Sequence, residues 1–324
     1  MRLKSLLILL PLAMAIALAI TPFSQGLNHN LNHPSSLVPP STDFTVLNYH
    51  GGPLLTGPSS INIYLIWYGT FYKKDRTPIT DFFASFAPPR GINSTVLTWW
   101  NIILSYKDKS GNPVSGTVKL TKQLGDVKYS LGKHIKRAQI HNCVKNKIDT
   151  GKLPYDPRGI YLVLTSKDVT VDRFCMDSCG FHGGIITLAK RRVVYAHVGD
   201  PHVQCPGLCA WPYAIPAYGP PGQALVAPNG IGSDGIIINV ATILAGAATN
   251  PFKSGYFQGD ALAPLEAVTA CPGIFGDRAY PGYPGDLKVD KMSKASYNAY
   301  GVNGRKFLLP AMWDPLHVNC KVVA

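Results

Sequence analysis

The stretch Gly235–Thr249 constrains the fold more than any other part of this sequence. Ile237, Ile238, Val240, Ile243, Leu244, Ala245, Ala247 and Ala248 cover almost the whole circumference of a helix, and no charged residue interrupts them. A helix that is apolar on every side has to be enclosed by other elements. The spacing therefore predicts a central buried helix with a sizeable domain built around it. Ser233 and Asp234 are its N-cap candidates, and Asn250-Pro251 stops it.

The elements that could enclose it lie mostly upstream. Ile61–Tyr68 alternates and is β-rich, bounded by Gly57-Pro58-Ser59 before it and Gly69 after it. Thr80–Phe86 and Val96–Tyr106 read as helices, Gly116–Leu124 as a strand, and Lys133–Lys147 as a basic amphipathic helix. Ile160–Thr165 suits a central strand, Gly184–Ala189 and Val193–Val198 a hairpin, and Lys306–Pro310 a last short strand. The predicted fold class is α/β or α+β: a single domain over residues 44–324, with a central mixed sheet, the buried apolar helix and disulfide-stapled loops. No segment after the N-terminus reads as long and apolar enough to cross a bilayer.

The N-terminus has the anatomy of a secretory signal over residues 1–25. Arg2 and Lys4 precede an apolar run from Leu6 to Ile20, and polar residues follow without a basic flank. Residues 26–43, rich in Asn, His, Pro and Ser, read as a disordered leader. Export implies an oxidising compartment, and all seven cysteines lie beyond the signal. Cys175, Cys179, Cys205, Cys209, Cys271 and Cys320 are the disulfide candidates. The repeated C-x-x-x-C spacing allows either two local staples or two cross-links between the segments, and Cys271 would pair with Cys320. Cys143, isolated in a Lys-rich helical stretch, is left over. Asn93-Ser94-Thr95 is the only N-glycosylation sequon, so Asn93 is the glycan candidate.

The formal charge of +13 falls to +11 once Arg2 and Lys4 leave with the signal. The basic residues are scattered, with small clusters at Lys133–Lys136–Arg137 and Lys190–Arg191–Arg192. No basic helix with interleaved aromatics exists to bind nucleic acid, and no membrane contact is expected after signal cleavage. A diffuse positive field outside the cell suits an acidic polysaccharide of the extracellular matrix, and an unidentified extracellular protein is the other candidate partner.

Motifs for chemistry are sparse. Gly230-Ile231-Gly232-Ser233-Asp234-Gly235 matches G-x-G-x-x-G, but a proline-broken loop precedes it where a dinucleotide site needs a strand. Ser233 lacks the glycine two places before it that a hydrolase elbow requires. His182, His197, Asp200 and His202 gather around the cysteine pairs, and Glu266 lies in an apolar setting. These are the residues a secreted hydrolase would have to use. No catalytic, cofactor-binding or metal-ligating residue is assigned, and nothing calls for a cofactor.

Several stretches together carry a resemblance. They include Asn62-Ile63-Tyr64-Leu65-Ile66-Trp67-Tyr68-Gly69, Tyr129-Ser130-Leu131-Gly132-Lys133, Gly159-Ile160-Tyr161-Leu162-Val163-Leu164-Thr165 and Phe174-Cys175 with Cys179-Gly180-Phe181-His182. Further on stand Gln204-Cys205-Pro206, Cys209-Ala210-Trp211-Pro212, Pro228-Asn229-Gly230, Thr249-Asn250-Pro251-Phe252 and Asn303-Gly304-Arg305. From about Tyr49 to the C-terminus the chain resembles the plant EXORDIUM, or phosphate-induced protein, family.

The resemblance implies a secreted protein of the apoplast and cell wall, supporting growth and cell expansion linked to brassinosteroid or carbon status. It brings no established catalytic activity. Cys143 falls outside the family pattern, and His197 and His202 stand where relatives carry other residues.

Some relatives resemble zinc peptidases in placing an H-E-x-x-E-like helix before Thr-Asn-Pro and an E-I-x-D-x-C segment downstream. In that register the ligand positions fall on Thr242, Ile243 and Gly246. The downstream segment is Glu266-Ala267-Val268-Thr269-Ala270-Cys271, which lacks the aspartate. The implied fold is zincin-like with its metal chemistry lost. The leading expectation is a non-catalytic protein acting through a partner; a metal-dependent hydrolase of peptidase-like fold is the alternative.

Overall fold

Side-chain alternation divides the interior into two layers. In the computed structural model, which describes residues 46–87, 91–220 and 222–323, strand β1 (Ile61–Tyr68) is buried on both faces. Ile61, Ile63, Leu65 and Trp67 point into one apolar cluster, and Tyr64, Ile66 and Tyr68 into another. The same period of two places Ile160, Leu162 and Leu164 in the first cluster and Tyr161 and Val163 in the second. Both signal segment and leader lie outside the described residues.

The central sheet is mixed. In spatial order it runs β2 (Val118–Asp126), β1, β3 (Ile160–Thr165), β5 (Arg192–Gly199) and β4 (Gly180–Ile186). The first four strands are parallel, and β4 is antiparallel to β5 on the edge. The chain leaves β1 for β2 through α1 (Lys73–Ala84) and α2 (Val96–Trp100), whose Ile79, Phe82, Phe83, Trp99 and Trp100 fill the first cluster. It returns from β2 to β3 through α3 (Arg137–Asp149), whose Ile140, Val144 and Ile148 fill the second. The two connections cover opposite faces, so the winding reverses between β1 and β3.

The apolar helix is α4 (Ile231–Thr249), buried from Ser233 to Thr249 and packed on α1, β4 and β5. It starts four residues earlier than Gly235, the start read from the sequence. Asp234 N–H makes an early helical bond to Gly230 O (2.9 Å), while the Asp234 carboxylate accepts from Asn229 N (2.7 Å) and Nδ2 (2.8 Å). Ser233 and Asp234 thus lie within the first turn, and Gly230, at φ 90°, occupies the cap. At this length the helix is long and apolar enough to cross a membrane, which corrects the expectation that no such segment exists. Its enclosure by the domain accounts for its apolar surface.

Other boundaries moved for local reasons. Helix α1 begins at Lys73 rather than Thr80. It contains Pro78, which has no N–H to give Lys74 O, and beyond it Phe82 and Phe83 are buried in the core. The helix read from Val96 to Tyr106 tightens after Trp100 into a 3-10 turn over Asn101–Ser105. His134–Ile135, read as the start of a helix, instead pairs with Thr170–Val171. Only Lys306–Phe307 of the last predicted strand pairs, with Ala299–Tyr300.

Of the two arrangements open to the cysteines, the structure has the cross-links: Cys175–Cys205 and Cys179–Cys209. They tie the segment before β4 to the loop after β5. Cys271–Cys320 fastens the C-terminal segment to the body, and Cys143 is a free, buried thiol.

Candidate functional site

Glycine spacing on β4 opens a place where two of the candidate catalytic side chains, those of His182 and Glu266, meet. Gly180, His182 and Gly184 share the face toward α4. A Cβ at Gly180 would lie 2.9 Å from Ile243 Cγ1, and one at Gly184 would lie 2.8 Å from Phe252 Cδ1. The two glycines thus let the helix and the loop after it close over His182. On the helix side Gly246 leaves the matching space: a Cβ there would stand 2.4 Å from Glu266 Oε2 and 3.2 Å from His182 Nε2.

Into this space Glu266 projects from a short turn whose backbone N–H bonds to Thr269 Oγ1 (2.7 Å). His182 Nε2 donates to both carboxylate oxygens, at 2.9 and 3.0 Å, and Asn250 Nδ2 donates to Oε1 at 2.7 Å. A carboxylate only accepts, so the imidazole proton sits on Nε2. The His182 side chain is 6% exposed and that of Glu266 12%. Nδ1 of His182 is buried without a partner.

An imidazole oriented by a carboxylate is part of a nucleophilic triad, but among the described residues no side-chain hydroxyl or thiol bonds the His182 ring. Thr242, at the histidine position of the zinc-peptidase register, donates to Ile238 O within its own helix (2.9 Å). Nor do the residues fit a metal. Ile243 and Gly246 offer no ligating side chain, Thr269 replaces the aspartate, and His182 and Glu266 are bonded to each other. Among the described residues, no three His, Cys, Asp or Glu side chains lie together as a metal site would need.

The remaining histidines of the region are dispersed. His197 is fully buried, bonds to Thr165 Oγ1 (2.9 Å) and is pushed down to about 3 by burial and by Arg137. It is therefore neutral and poorly suited to take a proton near neutrality. Asp200 closes a turn by accepting from His202 N (2.9 Å), and burial raises its carboxyl. Asn93 is exposed, while Thr95 of the same sequon caps α2 by accepting from Thr98 N (3.2 Å).

A second polar group lies where the winding reverses, at the carboxyl ends of β1 and β3, the usual ligand position in open α/β sheets. Gly69 (φ 94°) passes so close to Ser166 that a Cβ would lie 2.0 Å from its hydroxyl. Asp168 accepts from Ser166 Oγ (2.7 Å), Tyr129 OH (3.0 Å) and Lys133 Nζ (2.7 Å). Burial opposes ionisation of Asp168, but these bonds hold its carboxyl down at about 2. Such a carboxylate is too weak a base for proton abstraction. Sequence reading missed this cluster, although Asp168 and Tyr129 follow the predicted strands by only a few residues.

Comparison with known proteins follows the same outline. The family description "Phosphate-induced protein 1 conserved region" matches residues 47–323. Protein EXORDIUM-like 2 of Arabidopsis thaliana is 47% identical over 286 residues, covering 86% of this chain and 90% of the relative. Protein EXORDIUM of the same plant is 47% identical over 294 residues, covering 86% and 90%. Protein PHOSPHATE-INDUCED 1 of Nicotiana tabacum is 45% identical over 285 residues, covering 86% and 88%. No solved structure matches. On the strength of these matches, the chain belongs to the phosphate-induced protein 1 family, the family of EXORDIUM and its EXORDIUM-like relatives.

Proposed function

We propose that this protein is exported to the apoplast and cell wall of a plant, where it supports growth and cell expansion by binding a partner rather than by turning over a substrate. The link to brassinosteroid or carbon status belongs to the same proposal, as does a glycan on Asn93. The observation that carries the non-catalytic reading is the bonding of His182 Nε2 to Glu266. The side chains best suited to hydrolysis are enclosed, bonded to each other and held by Asn250. Three disulfides add support for an oxidising, extracellular setting. The partner is an extracellular protein or an acidic wall polysaccharide, and the excess of 31 Lys and Arg over 18 Asp and Glu suits an acidic partner of either kind.

The test has two arms. Tagged protein expressed in plant tissue is expected in wall fluid, shortened at the N-terminus, with a mass loss on enzymatic deglycosylation that Asn93→Gln abolishes. Purified protein is expected to hold no stoichiometric transition metal and to leave a peptide library uncut. Cytosolic retention overturns the location. Bound metal together with peptide turnover lost in His182→Ala overturns the non-catalytic reading.

A further inference from the structure

The two edges of the central sheet are protected very differently. The β2 edge, VKLTKQLGD, carries Lys119 and Lys122, the kind of charge that keeps an exposed edge from pairing. The β4 edge reads GFHGGII, with no lysine, acid or proline. The hairpin register fixes which backbone groups face outward there. Thr187 N–H bonds to Arg191 O (2.9 Å), and β4 pairs with β5 from Gly180↔Val198 to Ile186↔Arg192. Alternation then turns the amides and carbonyls of His182, Gly184 and Ile186 away from β5. No other strand or bridge pairs with this edge among the described residues. Gly184 is exposed, Ile186 is 61% exposed and Leu188 in the turn 77%.

The Ile186 end of the edge is basic. Lys190, Arg191 and Arg192 form the hairpin tip and have no carboxylate partner among the described residues. The Arg191 guanidinium is stacked 4.0 Å over Tyr155, and that of Arg192 is stacked 4.4 Å over Phe252. Both are held in place without being neutralised. The carboxylate bonded to the turn, Asp149, is already engaged by Lys145 and the Leu188 amide.

We propose that β4 is a docking edge for an extended peptide segment of a partner protein, which adds a sixth strand to the sheet and sets an acidic residue against the Lys190–Arg192 tip. Outward backbone groups supply affinity, and the basic tip sets polarity and register. The net charge of +11 left on every copy once Arg2 and Lys4 are removed with the signal disfavours a second molecule of this chain as the occupant. The inference rests on the reading that the protein acts through a partner.

The probe is a terminally blocked, fluorescein-labelled peptide, Glu-Glu-Val-Thr-Val-Thr-Val, with a Lys-Lys counterpart. Antiparallel pairing brings its acidic end to the tip. The acidic peptide is expected to bind saturably at about 0.15 M salt and to slow exchange of the His182, Gly184 and Ile186 amides. The lysine peptide should bind at least about tenfold more weakly. Ile186→Pro removes one outward donor, leaves the β4–β5 bonds intact and is expected to cost about tenfold in affinity. Arg191→Glu/Arg192→Glu, which leaves the residues of β4 unchanged, should reverse the preference between the peptides. Absence of saturable binding overturns the proposal, as does protection elsewhere or an unchanged preference in the charge-reversed protein. A dimer that Ile186→Pro dissociates assigns the edge to a second copy and equally overturns it. Failure of the secretion and turnover assays would leave these binding results standing, so the two readings fail separately.

Discussion

Replacing Glu266 by alanine tests whether the buried pair is structural. The substitution leaves His182 Nε2–H and Asn250 Nδ2–H facing an emptied space inside the core. Leaving two buried donors without an acceptor costs about 1–3 kcal/mol each, or about 2–6 kcal/mol together. At about 2–4 °C per kcal/mol for a domain of this size, the melting temperature should fall by roughly 4–24 °C. Glu266→Gln keeps the volume and the acceptor for Asn250 but turns an amide toward Nε2. The imidazole would have to move its proton to Nδ1, which has no partner, at a cost of about 1–3 kcal/mol. Removing both partners in His182→Leu/Glu266→Leu should cost less than the two single changes added together, with a coupling of about 1–3 kcal/mol in the double-mutant cycle. Thermal unfolding followed by circular dichroism measures all four proteins. A Glu266→Ala melting point within about 2 °C of the parent, or strictly additive losses, would refute the structural role.

Other expectations follow from the same packing. Gly246→Ala gains about 1 kcal/mol of helix propensity but drives a methyl into Glu266 at a cost of about 1–3 kcal/mol, so a net loss of up to about 2 kcal/mol should appear in urea unfolding. Cys271→Ser/Cys320→Ser opens a crosslink spanning 49 residues and should destabilise the protein by about 4 kcal/mol, read as a lower denaturant midpoint. Burial raises the Cys143 thiol, so an aromatic disulfide reagent at neutral pH should label it only after unfolding; rapid labelling of the native protein would contradict its burial. Burial also pushes the Asp234 carboxyl up from 3.8 to about 7, against the bonds from Asn229. The native state then binds this proton more tightly than the unfolded chain. The Asp234 contribution is therefore full below about pH 4 and lost as pH rises to about 7. His197 acts with the opposite sign as pH falls below its ordinary value, so the measurable quantity is the difference between parent and Asp234→Asn. That difference should decline across this window and level off above it.

Much of the architecture was legible in the chain. The β-rich run Ile61–Tyr68 and the short apolar run Ile160–Thr165 marked central strands, because a strand buried on both faces is apolar at nearly every position. The apolar circumference of Gly235–Thr249 likewise marked a core helix. What the sequence could not express was distance between remote residues. The two C-x-x-x-C segments are equally consistent with staples and cross-links, and only the return of the chain after β5 brings Cys205 and Cys209 beside Cys175 and Cys179. Helix ends depended on a side chain folding back, as Asp234 does onto Asn229.

The candidate site divides in the same way. Composition and register alone removed zinc ligands from Thr242, Ile243 and Gly246, since hydroxyl, alkyl and hydrogen cannot replace imidazole and carboxylate. The meeting of His182 with Glu266, 84 residues apart, was decided by tertiary structure, through glycines on β4 and α4 that let two backbones approach closely enough for one hydrogen bond. Strand order likewise decided that GFHGGII would be an edge: a local pattern specifies a strand, but only the assembled sheet determines which strand is left without a neighbour.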